Sequence, residues 1–152
     1  MQQQIDTIDQ KILSCLVKNA RMPYLEIARI CGISGAAIHQ RIKKLESNGI
    51  ILGSRLLVKP EAIGLNICVY IAISLANASN YEAVVKELDK IPEIVECHFI
   101  TGEFSFLVKM YCSDNEHLMN VILKSIHKIP NIAGSRTFIS LSQAIDRQVS
   151  PM

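Results

Sequence analysis

The stretch from Leu25 to Ile50, LEIARICGISGAAIHQRIKKLESNGI, holds two apolar stripes set so close together that only a tight turn can join them. Leu25, Ile27, Ala28 and Cys31 form the buried side of a first helix. Gly32 follows where a left-handed residue closes a helix at little steric cost. Ser34 then stands as an N-cap, its hydroxyl placed to accept from the unpaired N–H groups that open a second helix at Gly35 and Ala36. On a wheel of about 3.6 residues per turn, Ile38, Ile42 and Leu45 share one side of that helix, and Gly49 ends it. Ala36, His39, Gln40 and Lys43 face the other way.

Small residues in a first turn, hydrogen-bonding side chains in the middle and cations along the flanks suit the major groove, and the spacing of Ala28, Gly32 and Ile38 resembles a helix-turn-helix. The wheel alone fits any short amphipathic helix pair equally well. Charge separates the two readings. Residues 1–60 hold nine Lys or Arg against four Asp or Glu, a net of +5, whereas residues 61–152 hold seven against ten, a net of −3. The total of +2 hides this segregation, which is what phosphate contacts need. Ser34, Ala36, His39, Gln40, Arg41, Lys43 and Lys44 are therefore the expected DNA-binding residues. Gln40 and His39 suit base edges; Arg41, Lys43 and Lys44 suit phosphates, and Arg41 has the reach and geometry for a guanine.

Around this pair the chain organises simply. Ile5 to Lys18 carries apolar residues at i, i+3, i+4 spacing, with Thr7 and Gln10 placed as a capping box, and completes a three-helix core. Ala20 to Pro23 connect it onward. ILGSRLLVKP reads as an extended strand ended by Pro60, its Arg55 and Lys59 solvated by default. From Leu65 the pattern alternates: Ile67 to Leu75 a strand, Tyr81 to Lys90 a helix, Ile94 to Thr101 and Phe104 to Cys112 strands, Asn115 to His127 a helix, and Ser135 to Leu141 a strand. That order, βαββαβ, is the ferredoxin-like arrangement with both helices on one face of an antiparallel sheet. The fold class is α+β: residues 1–50 a helix-turn-helix domain, 51–64 a linker strand, 65–152 the second domain.

Both sides of the predicted sheet are apolar. One phase shows Ile67, Val69, Ile71, Ile73, Leu75, Phe104, Phe106, Val108 and Met110; the other shows Cys68, Tyr70, Ala72, Leu107 and Tyr111. A second copy is the expected cover for that second face, with the N-terminal helices as the alternative. The five cysteines sit among apolar neighbours with no CxxC spacing, and no His/Cys cluster has ligand spacing, so they read as reduced core residues with no metal and a cytosolic setting. The first ten residues carry no basic segment followed by an apolar run, and no apolar run is long enough to span a membrane.

IDTIDQKIL, NARMPYLEIARICGIS, GAAIHQRIKKLESNGII and ITGEFSFLVKM occur in an order and spacing that resembles the leucine-responsive regulatory protein / asparagine regulator (Lrp/AsnC) family of prokaryotic transcription regulators, over nearly the whole chain. The resemblance implies a winged-type DNA-binding domain on double-stranded DNA and an effector domain that dimerises through its sheet. It further implies dimers gathered into octamers, small amino acids bound near the interfaces, and a cytoplasmic, nucleoid-associated regulator. The hairpin Ile100 to Ser105 matches the family's effector loop. Many members carry Asp where this chain has Ser105; that serine, with the Gly-x-x-Ile-His-x-Arg pattern at Gly35 to Arg41, is similar to the asparagine-responsive branch. Loss of the acid removes an anionic partner for an ammonium, so asparagine or another small amino acid remains open as effector.

A free amino acid needs N–H donors and oxygen acceptors close together. Gly102 allows close backbone approach, Thr101 and Ser105 offer hydroxyls, Glu103 a charge, and Phe104 flanks them. From the residues alone a plain hairpin turn with Glu103 in water is the favoured reading, and the family resemblance reverses it. Thr137 is carried over because the corresponding strand borders the family's pocket. No nucleophile, base and orienting residue recur at useful spacing, so no enzyme is expected. An architectural DNA-compacting protein shares the same parts and stays open beside a regulator.

Overall fold

The first helix, α1 (Thr7–Lys18), begins at a carboxylate. In the computed structural model, which describes residues 5–151, the capping box is formed by Asp6 and Asp9 and not by Thr7 and Gln10. Asp6 Oδ1 accepts from the N–H groups of Ile8 (2.9 Å) and Asp9 (2.8 Å), and Asp9 Oδ2 accepts from the Asp6 N–H at 3.3 Å. A carboxylate outcompetes the neighbouring hydroxyl because it also complements the positive end of the helix dipole.

Helix α2 (Tyr24–Cys31) follows Pro23 and stops at Gly32, whose φ of 69° is the left-handed closure expected of that glycine. Helix α3 (Gly35–Ser47) starts at Ser34, whose Oγ accepts from the Ala37 N–H at 3.2 Å. It ends through Asn48 and a left-handed Gly49, where the Ile50 N–H turns back to the Leu45 carbonyl at 2.9 Å. Ile12, Cys15, Ile27, Ala28, Ile38, Ile42 and Leu45 close one core between the three helices. Leu25 departs from expectation: it is 69% exposed, and its Cδ2 lies against the space a Cβ on Gly35 would occupy. The segment after α3 also differs. Residues 51–59 join no strand ladder among the described residues, and Pro60–Ile63 form a 3-10 turn closed by a left-handed Gly64. A strand needs a neighbour for its N–H and C=O groups, and none is supplied among the described residues.

The chain divides into two compact units: residues up to Leu57 with the tail from Ile145, and Val58 to Ala144. In the second, β1 (Ile67–Leu75), α4 (Tyr81–Leu88), β2 (Ile94–Phe99), β3 (Phe106–Cys112), α5 (Asn115–Lys124) and β4 (Ile132–Ser140) form the βαββαβ order. All strand pairs are antiparallel, in the spatial order β2-β3-β1-β4. Val69, Ile71, Ile73, Phe106, Val108 and Met110 are fully buried against Val84 and Leu88 of α4 and Leu118 and Val121 of α5. Burying each such side chain contributes roughly 1.5–3 kcal/mol before entropy is charged. Asp114 caps α5, accepting from the His117 N–H at 2.8 Å, and its carboxyl is held below the usual range by that bond and then by the Ser113 hydroxyl.

The opposite side of the sheet is built in rows. Glu96, Lys109, Tyr70 and Phe138 stand in register across all four strands. Lys109 donates to Glu96 at 3.3 Å and lies 5.8 Å from the Tyr111 ring centre, with its side chain only 13% exposed. Burial opposes its charge, but Glu96 and the neighbouring phenols of Tyr111 and Tyr70 outweigh that and raise its pKa. All five cysteines are free thiols; Cys15 and Cys112 are core residues, whereas Cys97 is exposed, because β2 is an edge strand and packs on one neighbour only. Burial, helped by Glu93 and Asp114, pushes the Cys112 thiol up to about 11.

Candidate nucleic-acid interface and effector loop

Helix α3 presents its polar side as the wheel requires. Ile38, Ile42 and Leu45 are buried, and Ser34, Ala36, His39, Gln40, Lys43 and Lys44 are exposed. Lys43 and Lys44 have no ion-pair partner among the described residues, so both ammonium groups are available to an anion. His39 is steadied from the side by Tyr24, the first residue of α2, in an edge-to-face arrangement with ring centres 4.8 Å apart. That contact limits the imidazole's rotamers without using its nitrogens.

Arg41 is placed differently from the other cations of α3. Its Nη1 donates to Asp6 Oδ2 at 2.6 Å and to Asp9 Oδ1 at 2.8 Å. The guanidinium is therefore engaged at the start of α1, and the two hydrogen bonds raise its pKa further. Asp6 is lowered first by the Asp9 N–H and then by Arg41. Sequence reasoning grouped Arg41 with Lys43 and Lys44 because wheel position does not reveal a carboxylate more than thirty residues away.

In the second unit the hairpin loop expected to hold an effector joins β2 to β3. Its base is fixed: the Ile100 N–H donates to the Ser105 carbonyl at 2.9 Å, and the Ser105 N–H donates to the Ile73 carbonyl of β1 at 2.8 Å. At its tip Gly102 has φ +118° with open space around it, a backbone conformation that L side chains rarely adopt. Thr101, Gly102 and Glu103 are exposed, while Phe104 and Ser105 are half-buried. Glu103 meets Arg136 of β4 at 3.4 Å, and the Arg136 guanidinium carbon sits 5.1 Å from the Phe104 ring centre. Arg136 escaped sequence reasoning because β4 lies on the far side of β1 from the loop, a neighbourhood no local pattern encodes. Thr137 is not brought to this group. It pairs with Ile71 and so points to the helix side, whereas Arg136 pairs with Ala72 and shares the open side.

Residues 5–51 match a winged helix-turn-helix DNA-binding model, and residues 68–150 match the Lrp/AsnC ligand-binding domain. The chain belongs to the Lrp/AsnC family. It is 37% identical over 147 residues to the regulatory protein AsnC of Haemophilus influenzae, covering 97% of this chain and 98% of that protein. An HTH-type transcriptional regulator of Pyrococcus furiosus is 38% identical over 137 residues, covering 90% and 89%. Among solved structures, E. coli AsnC superposes with a TM-score of 0.92 at 34% identity, covering 97% of this chain and 99% of that one. A feast or famine regulatory protein from M. tuberculosis, solved in complex with L-methionine, gives 0.89 at 28% identity, covering 97% and 100%. This Lrp/AsnC protein is thus a DNA-binding transcription regulator by family and fold, built from a helix-turn-helix unit and an α/β unit with a four-stranded antiparallel sheet. No helix among the described residues is long and apolar enough to cross a membrane.

Proposed function

We propose that this regulator binds specific double-stranded DNA sites through α3 and that a small free amino acid alters its assembly or its DNA binding. The single observation that carries the first part is the exposed row of Ser34, Ala36, His39, Gln40, Lys43 and Lys44 on a helix whose other side is buried. In this reading His39 and Gln40 meet base edges, the two lysines meet phosphates, and Ser34 and Ala36 admit close approach of the backbone. Residues 1–50 carry DNA binding and 65–152 carry the effector and self-assembly, joined through 51–64. Two copies would cover each other's open sheet faces, a pair of α3 helices suits a two-fold site with half-sites about one duplex turn apart, and four such dimers would gather into an octamer.

For the effector, Thr101, Gly102, Glu103, Phe104 and Ser105 supply backbone and side-chain polar groups, and Thr137, on the other side of the sheet, stands outside them. The methionine complex of the M. tuberculosis relative supports an amino-acid ligand. Asparagine or another small amino acid is the class, with no cofactor, no resident metal and no catalysis. The setting is the cytoplasm, on the nucleoid.

The test is a mobility shift with the region upstream of the protein's own gene, with and without each free amino acid, beside a thermal-shift screen of the same ligands. A retarded fragment and one amino acid that raises the melting temperature support the reading, since a ligand of the folded state stabilises by mass action. Failure to retard that fragment at low salt under any of these conditions overturns it. Uniform occupancy across the genome would favour DNA compaction instead.

A further inference from the structure

The carboxylates of Asp6 and Asp9 are each divided between two tasks. One oxygen of each serves the start of α1: Asp6 Oδ1 takes the Ile8 and Asp9 N–H groups, and Asp9 Oδ2 takes the Asp6 N–H. The other oxygen of each, Asp6 Oδ2 and Asp9 Oδ1, takes the same nitrogen of Arg41, at 2.6 and 2.8 Å. The cap of one helix is thus the anchor point of another. Asp9 is well placed to hold it, its side chain being 14% exposed. Nothing on α3 itself shares this arrangement: Lys43 and Lys44 stand free of acids among the described residues, and His39 leans only on an aromatic ring.

From this we propose that Arg41 is a positioning residue and not a DNA contact: it ties α3 to the N-terminal cap of α1 and so fixes the direction in which His39, Gln40 and Lys43 are offered to the duplex. The inference rests on the reading that α3 is the DNA-facing helix. Two carboxylates on one guanidinium nitrogen leave no net positive charge for a phosphate at that point. A residue that released its acids to grip DNA would have to give up two charge-assisted hydrogen bonds at each binding event. A residue that keeps them costs the encounter nothing and restrains the helix beforehand.

The two roles predict opposite signs for one substitution. If Arg41 gripped a phosphate, Asp9→Asn would free it and remove a nearby negative charge, strengthening binding. If Arg41 positions α3, Asp9→Asn weakens binding, because an amide has one acceptor oxygen and can serve the Asp6 N–H or the guanidinium but not both, leaving Arg41 held by Asp6 alone. The full chain and its Asp9→Asn, Arg41→Gln and Lys43→Ala variants are titrated by fluorescence anisotropy onto a labelled duplex from the protein's own upstream region. Titrations run over about 50–200 mM salt, below the unfolding temperature of every variant. Positioning predicts affinity lower by about fivefold for both Asp9→Asn and Arg41→Gln, with the slope of log K against log salt unchanged. Lys43→Ala, a phosphate contact in this reading, lowers the slope by about 0.9 per contact. Tighter binding by Asp9→Asn, or a slope change in Arg41→Gln equal to that of Lys43→Ala, overturns the proposal. A Lys43→Ala variant with the parent's slope overturns the placement of α3 on the DNA, and the proposal with it.

Discussion

Asp9 and Arg41, 32 positions apart, meet at 2.8 Å, and through that pair the middle of α3 is bound to the first turn of α1. The neighbouring contact of Arg41 with Asp6 is acid-sensitive in a definite direction. Asp6, which shares the same guanidinium, has its carboxyl held below the usual 3.8 by the Asp9 N–H and by Arg41. A depressed carboxyl contributes stability that is complete above the unfolded-state value and lost as pH falls through the folded one. Circular dichroism of the full chain should show the helical unit loosening below about pH 4, and Asp6→Asn, which cannot titrate, should flatten that limb of the profile by lowering the stability at neutral pH.

The turn between α2 and α3 makes a second prediction. Gly32 has φ 69° with no atom crowding its missing Cβ, so Gly32→Ala meets backbone strain alone. A loss of about 1 kcal/mol in chemical denaturation is expected. Ser34→Ala removes the bond to the Ala37 N–H and should cost a similar amount, about 1 kcal/mol. Unchanged stability, equal to that of the parent chain, in both variants would contradict this account of the turn.

In the second unit the sheet carries the load on its helix side. Phe106 is fully buried between the helices and the centre of the sheet. Phe106→Ala should destabilise that unit by roughly 3–5 kcal/mol, read as a lower denaturation midpoint of the tertiary signal. Cys112→Ser places a hydroxyl in the same apolar layer and should also destabilise, whereas Cys97→Ser, on an exposed edge, should be silent.

The β2–β3 loop, proposed above to hold an amino acid, gives a fourth prediction. Gly102 at φ +118° tolerates no side chain without strain, so Gly102→Ala should alter the loop and weaken amino-acid binding by calorimetry. Arg136→Gln should do so too, by releasing Glu103 and uncovering the Phe104 ring. Thr137→Val, on the other side of the sheet, should leave the affinity unchanged.

Periodicity and turn chemistry made most of this architecture legible. Gly32 and Ser34 do what their types and places foretold, and the period-two run of β1 sorted the sheet's faces correctly. The strand ends were less legible. Ser135 was expected to open the last strand, yet pairing begins at Ile132, because β1 supplies partners to Gly134 and, past a bulge, to Ile132 itself. The capping box moved one residue because a spacing rule does not weigh a carboxylate against a hydroxyl. What local pattern could not reach was pairing at a distance: Arg41 with Asp6 and Asp9, and Arg136 with Glu103.

The row across the sheet's open side bears on whatever comes to rest there. Lys109 already has Glu96 beside it and aromatic rings around it. An arriving surface therefore encounters a dipole, not a bare monopole, and the electrostatic penalty of drying that spot was largely met when the strand folded. Selectivity is left to sterics and to the placement of one acid: an approaching ammonium finds its natural counterpart taken, and an approaching hydrocarbon does not.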